Sequence, residues 1–323
     1  MSKSPSILIS NLVYGEPYTD LFLNLHLPSL IENLRTNYFS DKSKYLVYTD
    51  RDSSKTIRSH PMFRLLGKFI DFEVLQIDGV ALSYESRYGL QQVQVNDSAC
   101  RALHGFDFFH SACADVVYGN NVLPDAARLL IQSGKNTICH TPMRVALESA
   151  APLLRGPSAF SVENLFEVGL RHPHPLWTSS NLRTPYFTTI PYHMIWTNDS
   201  QVLLRGFAIS PLLLKPSPWM TECGGSIDLS FSQFEQDFLW LSNWSDLPML
   251  ELGRLGAFYP CFRSEYFNLT SVVEWAKSAI PRSNWNNLLY WQYCKKPGSS
   301  PDLSLLQESN VVIDKMISEL NAV

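Results

Sequence analysis

Six cysteines are spread through the 323 residues (Cys100, Cys113, Cys139, Cys223, Cys261 and Cys294), and no two of them form a CxxC pair. That spacing excludes a zinc ribbon or a disulfide scaffold and predicts reduced, mostly buried thiols. Charge is scarce too. Charged residues make up 17% of the chain, below the roughly 25% usual in soluble domains. With 26 basic and 30 acidic residues the formal net charge is −4, which excludes a surface that grips nucleic acid through its phosphates. No apolar run approaches the roughly 20 residues of a membrane span, and Ile7-Leu8-Ile9 is too short for a signal-peptide core. The expectation is a cytoplasmic protein with no transmembrane segment and no nucleic-acid partner. Neither a GxGxxG after the first predicted strand nor a GxxxxGK[ST] anywhere is present, which removes dinucleotide oxidoreductases and P-loop NTPases.

What the chain does have is aromatic residues, 12% of the total, within an apolar fraction of 45%. Its length suits two domains or one large one. Short apolar runs alternate with helical segments through the first 145 residues, the grammar of parallel βα units. Strands are predicted at Ile7–Leu12, Tyr45–Tyr48, Phe72–Ile77, Phe106–Ala112 and Asn136–Cys139. Helices are predicted at Tyr18–Leu34, bent or divided at Pro28, and at Tyr88–His104 and Val122–Gln132. Residues 146–295 are richer in proline and aromatics and read as a mixed α+β half. Antiparallel strands are expected near Met194–Trp196 and Val202–Ile209, and a capping box at Ser232-Gln233-Phe234-Glu235 predicts a helix running to Leu241. Residues 296–323 read as a linker and a C-terminal helix.

Ligands of open α/β sheets bind beyond the carboxyl ends of the strands, which points to Asn11 to Tyr14, Thr49-Asp50, Asp78 and Asp115. A carboxylate at Asp115, held between apolar neighbours, suits a divalent metal on a diphosphate, or else it caps its turn. Arg144, Arg205 and Lys215 are candidate diphosphate partners. In Thr221-Glu222-Cys223-Gly224-Gly225-Ser226-Ile227-Asp228, paired glycines are flanked by two acids able to take a proton from a hydroxyl, or the segment is a Gly-Gly turn with solvated acids. His172 and His174, two apart in a proline-rich stretch, could hold phosphate, a metal or an acceptor, or sit on the surface as ordinary loop histidines. Trp177, Trp196, Trp219, Trp240 and Trp244 are either core or stacking platforms for sugar rings. A Cys113–His110 nucleophile is disfavoured because the two side chains leave opposite faces of a strand, so Cys113 is expected buried and inert.

The series Ile7-Leu8-Ile9-Ser10-Asn11, Tyr14-Gly15-Glu16-Pro17-Tyr18, Leu27-Pro28-Ser29-Leu30, Tyr48-Thr49-Asp50 and Ala114-Asp115-Val116-Val117-Tyr118-Gly119 resembles glycosyltransferases of the GT-A nucleotide-diphospho-sugar fold. The resemblance spans roughly residues 5 to 145. It implies an α/β fold with a Rossmann-type, mostly parallel sheet, a nucleotide-diphospho-sugar donor, a carbohydrate or glycolipid acceptor, and a place in polysaccharide biosynthesis. It further implies that Asn11 and Tyr14 touch the nucleotide, Asp50 its base or ribose, and Asp115 a Mn²⁺ or Mg²⁺ ion. Arg144 and Arg205 would meet the diphosphate. The second half would then bind the acceptor through His172, His174 and Trp177. Asp228 or Glu222 would serve as general base if the reaction inverts, and Asp228 could instead be a second metal ligand. Cys113 stands where that family carries the first acid of an Asp-x-Asp, so metal dependence is open. The alternative is a non-catalytic nucleotide- or carbohydrate-binding protein on the same fold.

Overall fold

In a computed structural model, the protein is described over residues 4–78, 87–156, 158–222, 227–235, 237–256 and 265–322. In chain order the strands of the first part are β1 (Ile7–Val13), β2 (Lys44–Thr49), β3 (Asp71–Gln76), β4 (Phe108–Cys113), β5 (Val116–Tyr118) and β6 (Thr137–Cys139). They are followed by β7 (Met143–Ala146), β8 (His193–Thr197), β9 (Gln201–Gly206), β10 (Pro211–Leu214), β11 (Phe238–Trp240), β12 (Met249–Gly253) and β13 (Gln292–Lys295).

The chain divides into two compact units that are not contiguous in sequence: residues 1–139 with 211–239, and 140–210 with 240–323. The first crossing lies at Cys139/His140. The return of residues 211–239 to the first unit is not foreseen by the sequence, because a lone four-residue apolar strand carries no address.

Among the described residues, the first unit is built on a seven-stranded sheet of order β11-β6-β10-β4-β1-β2-β3. Strands β4, β1, β2 and β3 are parallel, and β10 runs antiparallel between β4 and β6. This is the mostly parallel α/β sheet the sequence predicts. β1 and β2 are apolar nearly throughout and almost wholly buried, as strands covered on both faces must be.

The segment after β1 shows how one proline shapes a helix. Pro28 has no N–H to return to residue 24, and the chain runs as α-helix Glu16–Leu21, π-helix Phe22–His26 and α-helix Leu27–Leu34. The extra residue in the π-turn carries His26 inward, where it is fully buried. Helix Val122–Ser133 ends on Gly134 at φ +71°, a left-handed cap that glycine adopts at no steric cost.

One helix differs from expectation. The capping box at Ser232 does not start a helix: Ser232 lies inside helix Ile227–Phe234, and β11 occupies the predicted continuation. Phe231 is fully buried from that helix, and just beyond its end Glu235 accepts the Asp237 amide at 2.7 Å. Burial of the Ile227 and Phe231 face outweighed the local capping signal.

The second unit contains an antiparallel sheet β13-β9-β8 and the parallel pair β7–β12. Helices Val162–Arg171, Leu269–Ala279 and Leu303–Asn321 belong to it. Ser161 caps the first of these by accepting the Asn164 amide at 3.2 Å.

Candidate functional site

Register places the ends of the parallel strands in one row. Val13 stands opposite Thr49, Thr49 opposite Gln76, and Leu12 opposite Cys113. The chain therefore leaves the same edge of the sheet at Tyr14, Asp50, Ile77 and Ala114. From β1 the strands run outward to β2 and β3, and the chain then crosses back to place β4 on the other side of β1. The chain reverses direction of progress between β1 and β4, and sheets of this kind bind ligands in a crevice at such a switch point. Its two lips are the loop Tyr14–Gly15 and the turn Ala114–Asp115.

Tyr14 is 37% exposed on the first lip. Beside it Gly15 adopts φ +82°, open to glycine without strain. The Gly15 carbonyl accepts both the amide and the hydroxyl of Thr19, each at 3.0 Å. Its amide donates to Asp50 Oδ2 at 2.8 Å. Asp50 also caps helix Arg51–Ser59, with Oδ1 accepting the amides of Asp52 and Ser53 at 3.0 and 2.8 Å and Oδ2 accepting the Ser53 hydroxyl at 2.7 Å. Partial burial pushes the Asp50 carboxyl up, but the hydrogen bonds from Ser53 and Gly15 outweigh it and hold the group below its ordinary range. Four donors occupy both oxygens. The Asp50 carboxylate ties the first lip to the helix after β2.

Asn11 is corrected. It lies not at the rim but fully buried, with its amide nitrogen donating to His26 Nε2 at 3.1 Å. His26 Nδ1 donates to the Val116 carbonyl at 2.8 Å, which makes Nε2 the acceptor and fixes the tautomer. Tyr118 donates its hydroxyl to His110 Nε2 at 2.8 Å, while His110 Nδ1 donates to the Leu212 carbonyl at 2.5 Å. Burial drives both imidazoles down to about 4, so both are neutral at pH 7. The sequence reading missed this cluster. Its only signals were a polar Ser10-Asn11 step in an apolar strand and a histidine two residues before Pro28.

Asp115 occupies the two-residue turn between β4 and β5 and is partly exposed. After burial itself, Cys113, Tyr45 and Asp115 together raise the Tyr118 hydroxyl well above its ordinary value. Cys113 is exposed rather than buried, whereas His110 is enclosed, so the two form no nucleophilic pair. Among the described cysteines Cys100 is also exposed, and Cys139 and Cys294 are buried. Cys223, Cys261 and the Gly224-Gly225 pair lie outside the described residues. Of the two acids flanking that pair, Glu222 is exposed at the end of the 3₁₀ turn Pro218–Glu222. Asp228 is half-buried in the first turn of Ile227–Phe234, where its charge acts on the Cys139 thiol.

In the second unit Arg205 is 3% exposed, with Nε donating to the Ser309 hydroxyl at 3.1 Å and Nη1 to the Leu288 carbonyl at 3.0 Å. Nη2 bonds Asn310, and the guanidinium lies 5.5 Å from the Trp291 ring centroid. Burial lowers Arg205 to about 10. Its assignment to a diphosphate is corrected, since every nitrogen is engaged inside the unit. Arg144 is ion-paired to Glu251 across the β7–β12 pair. His174 is corrected too: buried, it accepts the Leu176 amide at Nδ1 and donates Nε2 to the Arg254 carbonyl at 3.1 Å. His172 is half-buried and lines a cleft of about 440 Å³ together with Leu153, Asn164, Glu167 and Arg171. Trp177, Trp196 and Trp244 are buried, which makes them core and not stacking platforms.

No group of three His, Cys, Asp or Glu side chains among the described residues is placed to hold a metal ion. The turn offers one carboxylate, Asp115, and two residues earlier a soft thiol. Such a donor set suits a hard cation only where phosphate and water oxygens complete the shell.

No family model matches the chain, and no curated protein does. Solved structures similar to it include Staphylococcus aureus TarS residues 1–349, at 11% identity and a TM-score of 0.41 over 98% of this chain and 70% of that one. The complex of the same TarS fragment with UDP-GlcNAc gives 11% and 0.44 over 97% and 72%. The longer TarS structure gives 10% and 0.39, and this chain spans 43% of its length.

Proposed function

We propose that the protein is a glycosyltransferase that moves a sugar from a nucleotide-diphosphate donor to a carbohydrate or glycolipid acceptor. The observation that carries this reading is the switch point between β1 and β4, with Tyr14 and Gly15 on one lip and Asp115 on the other. Tyr14 is the group there with an exposed aromatic face for a base. Asp115, with the donor's own phosphates, would hold Mn²⁺ or Mg²⁺, which supplies charge stabilisation to the leaving diphosphate. Asp228 is the preferred base if the reaction inverts, with Glu222 the more solvent-exposed alternative. The acceptor is assigned to the second unit, where His172 and Arg171 line an open cleft.

Thermal-shift measurements with UDP-, GDP- and CMP-sugars, with and without Mn²⁺, test the reading. A stabilising shift with one nucleotide class, and donor hydrolysis reduced but measurable in Asp115→Asn, are expected. No shift with any donor overturns it. The second reading, a binding protein without turnover, is favoured by Cys113 in the first acid's place. It predicts a donor shift that is unaffected by Mn²⁺ and no hydrolysis.

A further inference from the structure

One face of the helix that follows β1 carries His26, Ser29 and Asn33, all fully buried polar side chains. Spacings of three and four residues align them along that face. Each one meets main chain beyond the Asp115 turn. His26 Nδ1 donates to the Val116 carbonyl at 2.8 Å, and Ser29 Oγ accepts the Tyr118 amide at 3.1 Å. Asn33 Nδ2 donates to the Gly119 carbonyl at 3.0 Å, and Asn33 Oδ1 accepts the Leu123 amide at 2.9 Å.

The last bond replaces a missing cap. Asn121, which precedes helix Val122–Ser133, sits at φ +64° and makes no capping hydrogen bond through its side chain. Asn33 supplies the acceptor for an N-terminal amide from a different element. The row is itself held in place. Ser29 Oγ donates to the His26 carbonyl at 2.7 Å, and Asn33 Nδ2 also reaches the Ser29 carbonyl at 2.9 Å.

Four main-chain bonds over eight residues come from side chains of one helix face. A buried loop can satisfy its backbone with water or with its own turns, whereas here side chains from one helix face meet the loop group by group. On the near side of the turn, β4 is fixed to β1 through the sheet, with Leu12 opposite Cys113. On the far side, residues 116–123 are fixed to the helix that grows out of the Tyr14–Gly15 loop. Asp115 lies between the two anchors.

We propose that His26, Ser29 and Asn33 are positioning residues that lock the Asp115 turn to the lip after β1, so the crevice is set before any ligand arrives. The inference rests on the proposed donor site only for its functional consequence; the clamp itself is a statement about the chain.

The experiment compares wild-type protein with His26→Asn, His26→Ala and Ser29→Ala. Asparagine keeps an N–H near the place of Nδ1, so His26→Asn is expected to retain the bond to Val116 and to melt closer to wild type than His26→Ala does. Hydrogen exchange is followed in the peptide covering residues 113–119. Faster exchange there in Ser29→Ala and His26→Ala, with near wild-type protection in His26→Asn, is expected. Unchanged exchange in Ser29→Ala overturns the clamp. If wild-type protein turns over a nucleotide sugar, kcat/KM for the donor is measured in a double-mutant cycle of Ser29→Ala with Asp115→Asn. Ser29→Ala is expected to lower it by about tenfold when Asp115 is present and by far less when Asp115→Asn has already been made. Equal losses in both backgrounds, or a loss that follows the fall in Tm, overturn the positioning role. Altered exchange together with no binding of any nucleotide sugar would leave the clamp standing and remove the glycosyltransferase reading.

Discussion

The amide of Gly15 donates to Asp50 Oδ2 at 2.8 Å, joining the loop after the first strand to the helix after the second. A single carboxylate thereby serves two elements, and a change to it should be felt in both stability and ligand binding. Asp50→Ala removes a helix cap whose loss costs about 1 kcal/mol. It also frees the Gly15 loop. A lower urea midpoint, with weaker nucleotide-sugar binding in calorimetry, is expected. Binding that falls while the midpoint stays constant would show that Asp50 touches the ligand directly.

Arg205 should behave in the opposite way. Arg205→Met leaves the Leu288 carbonyl and the Ser309 hydroxyl buried without their donor, a loss of about 2–4 kcal/mol by the usual size of charged hydrogen bonds and unsatisfied groups. Donor affinity measured on the folded fraction should not change. A specific loss of affinity would return Arg205 to the binding site.

Four enclosed imidazoles set the acid limit of the fold. Burial lowers His26, His110 and His193 to about 4 and His140 to about 3, from an ordinary value near 6.5. The unfolded chain binds more protons than the folded one between those values, so stability rises with pH through that window. It is complete above about pH 6.5 and is lost progressively as pH falls toward 4. Urea midpoints at pH 7, 6 and 5 should drop at each step, with net proton uptake on unfolding. A flat profile would place these histidines in solvent.

Thiol chemistry should separate Cys113 from the buried sulfurs. Exposed Cys113 and Cys100 are expected to react with iodoacetamide in the native protein. Cys139 and Cys294 are not, because burial pushes the Cys139 thiol well up and Cys294 to about 12. Peptide mapping reads the outcome. Protection of Cys113 by a bound nucleotide sugar would put it at the mouth of the crevice beside Asp115.

Gly253→Ala probes the side-chain cap that His174 makes on helix Pro175–Ser179. A β-carbon at Gly253 would meet His174 Cδ2 at 2.7 Å and Nε2 at 3.0 Å, so the imidazole must leave the Leu176 amide and the Arg254 carbonyl. Overpacking of this kind costs about 1–3 kcal/mol. The loss should appear in the second unit, as faster exchange of the Leu176 amide. An unchanged Tm would mean the ring has room to move.

Periodicity made the parallel half legible. The apolar runs of β1, β2 and β4 and the helix Val122–Ser133 lie within two residues of their predicted ends, since each reads from its own neighbours. The carboxyl-edge positions of Tyr14, Asp50 and Asp115 follow from those strands. What these polar side chains do was not legible, because the bond of Asp50 to Gly15, of Asn11 to His26 and of Arg205 to Asn310 spans 35, 15 and 105 residues. The same polar residue types that mark a binding site also mark a buried network, and sequence spacing cannot tell them apart. His172 and His174 show this within three residues: one lines a cleft and the other is a cap.

Strand β10 enters the sheet between β4 and β6, both made earlier on the ribosome. Until residues 211–214 emerge, Phe109 and Ile138 belong to strands that lack their common neighbour, and a gap one strand wide separates β6 from β4 and the β1, β2 and β3 strands beside it. The nascent first unit must wait, with that slot unfilled, through the synthesis of the 71 residues from 140 to 210, all of which belong to the other unit. Any genetic rearrangement that inherits residues 1–145 alone inherits an open sheet. A fusion or truncation that divides the gene at its midpoint therefore cuts through both units.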